Sequence, residues 1–245
     1  MQGSPHKVHI LLVDDEPELR EIFALWLQRS GYDVTTAAHG AEGLTQIDEL
    51  RQAGRPPDII VADQHMPEMS GAVMLRALHE RKLRTPALLF VSGFDDLPLR
   101  EAYALGVCAT LMKPLRRNEM VQAIERSLQS PVERWAELQN GSSANETKIN
   151  VTYPSLADAC AAGDLKLGSG GLTMVLTPVP PLGNVSLHIY LNQEQRRVEA
   201  RGCVRWVAAA EQLSGIELLW VAPESRDWLA EQVSQLDDPP YLPAV

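Results

Sequence analysis

A chain of 245 residues is long enough for two cores of ordinary size, and its formal charge of −10 argues against a nucleic-acid partner, because neutralising phosphates needs clustered Lys and Arg. The three cysteines (Cys108, Cys160 and Cys203) are widely spaced among small or apolar neighbours, which excludes a disulfide framework or zinc site and predicts reduced core residues. The start of the chain shows no basic, apolar, small-residue progression, and no window approaches the roughly eighteen apolar residues of a membrane span, so a soluble, cytoplasmic protein without membrane contact is expected.

His9-Ile10-Leu11-Leu12-Val13 is an apolar run that stops abruptly at Asp14-Asp15-Glu16. Neighbouring acids are costly to carry into a dry core, so the pair should sit at a strand end, facing a cation or solvent. Pro17 suits a first helical position, and Leu19, Ile22, Phe23, Trp26 and Leu27 repeat on one helical face up to Gly31. Asp33 to Ala38 predicts a second strand. Leu44, Ile47 and Leu50 mark a second helix, and Asp58 to Asp63 a buried strand that closes on a carboxylate. A helix through Val73, Leu75 and Leu78 follows, then a strand from Ala87 to Val91 stopped by Ser92-Gly93. A helical segment from Pro98 to Leu105 precedes the strand Ala109 to Met112, which runs into Lys113-Pro114. A last helix, capped by Asn118, buries Met120, Val121, Ile124 and Leu128.

This alternation predicts an α/β unit with a flavodoxin-like five-stranded parallel sheet, whose ligands bind at the carboxyl ends of the strands. Asp14, Asp15, Asp63, Ser92 and Lys113 all fall there. Strands one and three are neighbours in such a sheet, so three carboxylates converge, and Mg²⁺ is the hard cation that offsets their repulsion. A carboxylate nucleophile, a metal, a point charge and a hydroxyl are together what phosphoryl transfer requires.

Val13-Asp14-Asp15-Glu16-Pro17, the run Val61 to Gly71, Val91-Ser92-Gly93 and Lys113-Pro114 resemble, in order, the motifs of receiver domains of two-component response regulators. The resemblance implies that Asp63 accepts a phosphoryl group from a sensor histidine kinase or phosphotransfer protein. It also implies that Asp15, Asp63 and the backbone carbonyl of His65 ligate Mg²⁺ directly, that Asp14 acts through water, and that Ser92 and Lys113 bind phosphoryl oxygens. The His65 side chain is expected to face solvent. The chain departs from the family at Thr110, where Tyr or Phe is frequent.

Ser130-Pro131-Val132-Glu133 has the form of a capping box and predicts a short helix, followed by a flexible linker through Ser142-Ser143-Ala144. Trp135 either packs on one domain, reports the receiver's state to the second, or makes a homodimer contact. From Lys148 the texture becomes β-rich: Ile149 to Tyr153, Leu172 to Leu176, Val185 to Leu191, Val198 to Val207 and Ile216 to Val221. Both faces of these runs are partly apolar, which predicts a small all-β closed barrel with a closing helix at Trp228, Leu229 and Val233. The expected domains are therefore a receiver at 7–129, a linker at 130–147, a barrel at 148–236 and a disordered or surface tail at 237–245.

Leu167-Gly168-Ser169-Gly170-Gly171-Leu172, Gly202-Cys203-Val204-Arg205-Trp206 and Gly215-Ile216-Glu217-Leu218 resemble PilZ-type barrels, a family that implies cyclic di-GMP binding. The family's Arg-x-x-x-Arg pair does not occur between Ser130 and Tyr153, and neither register of its Asp/Asn-x-Ser-x-x-Gly motif is complete. Cyclic di-GMP is therefore expected to bind weakly or not at all. Arg197, Arg201 and Arg205 share a strand face and are read as a solvated face, with a weak anion site as the alternative. The expected function is a non-enzymatic, phosphorylation-controlled regulator whose barrel contacts an effector protein. It is weighed against a cyclic di-GMP-sensing regulator and an enzymatic output.

Overall fold

The computed structural model describes residues 7–81, the strand 87–92, 98–136, 146–237 and 239–243. The chain forms two compact units: Met1–Pro98 with Leu105–Leu128, and Leu99–Ala104 with Gln129–Val245. Among the described residues, no helix is long and apolar enough to cross a membrane.

In the first unit, β1 (His9–Val13), α1 (Pro17–Arg29), β2 (Asp33–Ala37), α2 (Gly40–Gln52), β3 (Ile59–Asp63), α3 (Gly71–Glu80) and β4 (Ala87–Ser92) follow in order. The chain then passes through α4 (Leu99–Ala104), which lies in the second unit, and returns for β5 (Val107–Met112) and α5 (Arg117–Leu128). The five parallel strands are ordered β2-β1-β3-β4-β5, the flavodoxin-like arrangement that the alternation predicts. β1 and β3 are buried along their whole length, as expected of central strands covered on both faces. Ile10, Leu12, Ile59 and Val61 pack with Phe23 and Leu27 of α1 and Met120 and Ile124 of α5. On α2 and α3, Leu44, Ile47, Met74, Leu75 and Leu78 are buried. A Cβ on Gly43 would come within 2.9 Å of Met74 and 3.3 Å of Val13, so glycine there lets α2 approach both β1 and α3.

The second unit contains α4, α6 (Pro131–Arg134), β6 (Thr147–Tyr153), α7 (Leu156–Ala162), β7 (Leu165–Leu167), β8 (Gly171–Val175), β9 (Gly183–Leu191), β10 (Arg196–Ala208), β11 (Leu213–Val221) and α8 (Pro223–Ser234). Among the described residues the strand order is β6-β9-β10-β11-β8-β7, with β6 and β9 parallel and the other pairs antiparallel. The expected closed barrel is corrected here to an open, six-stranded mixed sheet. β6 and β7 are consecutive strands at opposite edges, and α7, which packs against both, stands where strand pairing would close the ring. Ser155 caps α7 by accepting from Asp158 N at 3.0 Å, and Gly163 at φ 79° ends it. Apolar residues on the sheet's inner face, among them Leu187, Val204 and Ile216, meet Leu156 of α7 and Leu229 and Val233 of α8.

Two further expectations change, at the chain's last residues and at the cysteines. The capping box at Ser130 and Glu133 is present, and the residue that follows its helix, Trp135, is 1% exposed within the core of the second unit. That favours packing on one domain. The middle of the expected flexible linker, 137–145, lies outside the described residues. The segment 239–243 is not a loose tail, because Tyr241 and Leu242 are buried. Cys108 is buried, but Cys160 is exposed and Cys203 only partly covered, so the three cysteines are not uniformly core residues.

Candidate functional site

At the carboxyl ends of the central strands, Val13 pairs with Ala62, so the residues that follow each of them, Asp14 and Asp63, stand side by side. Both are nearly buried. Lys113, the residue after β5, bridges them: its Nζ lies 2.5 Å from Asp63 Oδ2 and 3.3 Å from Asp14 Oδ2. Glu16 Oε1 is 3.5 Å from the same nitrogen but is itself exposed. The other carboxylate oxygens are held by backbone: Asp14 Oδ1 accepts from Glu16 N at 2.9 Å, and Asp63 Oδ1 from His65 N at 3.1 Å. These amide bonds fix both carboxylates in rotation and point one oxygen of each toward the lysine.

The loop after Asp63 is anchored as firmly. Gln64 is buried; its carbonyl accepts from Gly71 N at 3.2 Å and its side chain from Ala72 N at 3.2 Å. Ser70 caps α3 by accepting from Val73 N. From the other side, Gly40 N donates to Met69 O at 3.3 Å. Gln64 is a positioning residue that sequence reasoning missed, since an amide beside an acid carries no periodic signal.

The electrostatics follow from burial. Desolvation pushes the Asp14 carboxyl above its ordinary range; the Glu16 amide and Lys113 oppose this, and the Asp63 charge adds to it. Burial by itself would lower the Lys113 ammonium, but its hydrogen bond to Asp63 and the charges of Asp63 and Asp14 outweigh that and hold it above the ordinary lysine value. Among the described residues, the three carboxylates thus share the Lys113 ammonium, and the Arg20 guanidinium reaches the backbone carbonyl of Asp14.

Asp14, Glu16 and Asp63 each offer an oxygen within 4.8 Å of the others. That donor set, all oxygen, largely buried and short of positive charge, fits a hard divalent cation such as Mg²⁺. The converging set differs from the expected one. Asp15, read as a direct ligand, is only half-buried and lies outside that group of three, whereas Glu16, one residue further on, lies within it. His65 follows Asp63 on the exposed side of the loop. Ser92 is the last residue of β4, next to Met112 of β5, and its side chain lies outside the described residues. Glu16 is the acid not assigned from sequence, although it belongs to the same acidic run.

The arginines of β10 are not brought around a common site. At about 3.3 Å per residue, four-residue spacing separates neighbours by about 13 Å, and each has its own partner. Arg197 reaches His188 Nδ1 at 3.0 Å and Glu199 at 3.6 Å, Arg201 lies 6.0 Å from the centre of the Trp220 ring, and Arg205 Nε donates to Glu217 at 2.6 Å.

Residues 10–125 match the response regulator receiver domain family. Among curated proteins, the chain is similar to the positive alginate biosynthesis regulatory protein of Pseudomonas aeruginosa, 35% identical over 123 residues, covering 49% of this chain and 47% of that one. It is also similar to the transcriptional regulatory protein GlrR of Escherichia coli, 31% identical over 137 residues, covering 54% and 30%. The chain spans about half or less of the length of these curated relatives. Among solved structures, the chemotaxis response regulator CheY4 of Vibrio cholerae is 28% identical, covers 50% of this chain and 99% of that chain, and has a TM-score of 0.44.

Proposed function

With residues 10–125 a response regulator receiver domain, we propose that Asp63 is its phosphoryl acceptor, charged by a sensor histidine kinase or phosphotransfer protein, and that the second unit carries the output through contacts with an effector protein. The observation that carries the acceptor assignment is the lysine bridge. Asp63 is nearly buried, is held in rotation by the His65 amide, and faces a single ammonium shared with two other carboxylates.

In the transfer, a carboxylate oxygen of Asp63 attacks phosphorus. The new P–O bond forms as the P–N bond to the donor imidazole breaks, and the imidazole keeps the electron pair and takes a proton from solvent. Lys113 must then exchange the carboxylate for a phosphoryl oxygen, a short move for an ammonium already 2.5 Å from Asp63. Asp14, Glu16 and Asp63 would hold Mg²⁺, with Asp15 and the His65 carbonyl as the further ligands that the family resemblance implies. When bound, the ion supplies charge neutralisation on the phosphoryl oxygens. Ser92 would donate its hydroxyl to the same group.

The output reading is supported by what the second unit lacks. Arg205 is held by Glu217, and Arg197 and Arg201 have separate partners, so cyclic di-GMP has no ready arginine clamp among them. The names of the curated relatives favour a second reading, a role in transcription. It enters here as regulation through a protein partner, since the second unit is not basic.

The test is acetyl-phosphate labelling with Mg²⁺, read by intact mass. The chain is expected to take one phosphoryl group, and Asp63→Asn none while remaining folded; labelling that persists in Asp63→Asn overturns the assignment. A pull-down from cell extract comparing labelled chain with Asp63→Asn then tests the output, and a cyclic dinucleotide binding with low-micromolar affinity instead would replace the protein-contact reading.

A further inference from the structure

The glycine-rich run Gly168-Ser169-Gly170-Gly171 has no part in the acceptor site, yet it forms the floor of a slot in the second unit that is already filled. Its occupant is the segment Pro239 to Pro243 of the same chain. Ser169 N donates to Pro240 O at 2.9 Å and Gly170 N to Tyr241 O at 2.7 Å, and the Thr173 hydroxyl donates to Pro243 O. A Cβ on Gly168 would lie 2.5 Å from Pro240 O, and one on Gly170 would overlap the Tyr241 ring, so the floor admits only glycine at both positions.

The tyrosine is read on every side. Its hydroxyl donates to Glu217 Oε1 at 2.7 Å, while the other oxygen of that buried carboxylate takes Arg205. The Arg134 guanidinium sits 4.9 Å from the ring centre and is itself fixed by a 2.7 Å bond to Ser169 O. Tyr103 of α4 stacks on the ring with centroids 6.2 Å apart. Leu242 beside it is fully buried.

These contacts have the chemistry of peptide recognition: main-chain amides pair with successive carbonyls of a short segment that bends at Tyr241 and Leu242, and one side chain enters a shaped pocket. Prolines supply carbonyl acceptors, have no N–H to leave unpaired, and lose little freedom on binding because φ is already restricted. A segment tethered in cis has a local concentration in the millimolar range, so it holds such a slot even where its intrinsic affinity is modest.

We propose that this slot is a recognition groove for a short, proline-flanked tyrosine segment of a partner protein, and that residues 239–243 occupy it as a competing intramolecular ligand. This deepens the protein-contact reading of the output by naming the partner's chemistry, and rests on that reading for its place in signalling.

The test uses a fluorescein-labelled peptide of the chain's own residues 237–245, titrated by fluorescence anisotropy against three proteins: the intact chain, the chain ending at Leu236, and the full chain carrying Tyr241→Ala. The shortened chain and Tyr241→Ala are expected to bind at least tenfold more tightly than the intact chain. Glu217→Gln in the shortened chain should weaken binding severalfold, as should a peptide with Phe in place of Tyr. Equal binding by intact and shortened chains overturns the proposal, as does no binding by a folded shortened chain. Loss of the fold in both tail variants overturns it too, since an occupant that a partner displaces cannot be required for folding. Acetyl-phosphate labelling on the same samples separates the two readings: a chain that labels but binds no peptide removes only the slot, and one that binds peptide without labelling removes only the acceptor.

Discussion

In the first unit, Lys113 faces Asp14, Glu16 and Asp63; in the second, Glu217 faces Arg205 and the Tyr241 hydroxyl. Both clusters bury carboxylate, yet their balance is opposite. The first has three acids to one ammonium, and burial pushes Asp14 upward. In the second a guanidinium and a phenol serve the two oxygens of one acid, and the Arg205 pKa is raised: burial would lower it, but the Glu217 charge more than offsets that. An acid cluster short of positive charge is unstable by itself and complete only with a cation or after chemistry, whereas a matched one is already at rest. The two clusters differ in their ratio of acids to donors more than in burial itself.

The largest effect that would sharpen this contrast is expected from Trp135→Ala. Emptying a fully buried indole site in the core of the second unit should cost about 3–5 kcal/mol in chemical denaturation of that unit, while acetyl phosphate still labels Asp63. Loss of labelling would break the independence of the two. Next is Mg²⁺: at about a hundredfold excess over Kd it should stabilise the first unit by about 2.7 kcal/mol and leave the second unchanged. The shift should disappear in Asp14→Asn. A smaller effect is expected of Glu217→Gln, which keeps an acceptor for Tyr241 but removes the charge that serves Arg205. Loss of a charge-assisted bond should lower the unfolding free energy of the second unit by about 1.5–3 kcal/mol, and no change would mean that the matched cluster contributes nothing.

The smallest effect concerns a half-buried group that packs against the core of the second unit. Burial first, and then the nearby Asp164, push the Tyr153 phenol up to about 12. In the unfolded chain it ionises near 10, so its contribution to stability is full below that pH and is lost as pH rises from there through about 12. Ultraviolet titration of the tyrosinate band should show one late-titrating residue that vanishes in Tyr153→Phe. An unchanged titration curve would remove the argument.

Much of the first unit was legible in the order of residues. β1 and β3 are central and short, so the continuous apolar runs Ile10 to Val13 and Ile59 to Ala62 mark them, and each run stops at an acid of the converging group. Which of Asp14, Asp15 and Glu16 converge with Asp63 was not legible, because the turn after β1 sets which acids face Lys113, and it brings Glu16 there while Asp15 lies outside the group. In the second unit the Ser155-x-x-Asp158 cap and Gly163 are local signals for α7, a helix too short to show a clear apolar period among β-rich neighbours.

By itself, then, the sequence determined what is local or periodic: the alternation of strands and helices, the carboxylates at strand ends, the capping box at Ser130 and the β-rich texture after Lys148. Only the tertiary structure decided that the second sheet stays open, that Trp135 is buried in the second unit, and that Pro239 to Pro243 fill a slot over the glycine run. The reason is physical. A cap or an amphipathic face is set by neighbours within a turn or two, whereas the edges of a sheet and the seat of a proline-rich segment are set by partners dozens of residues away, whose approach no local pattern encodes.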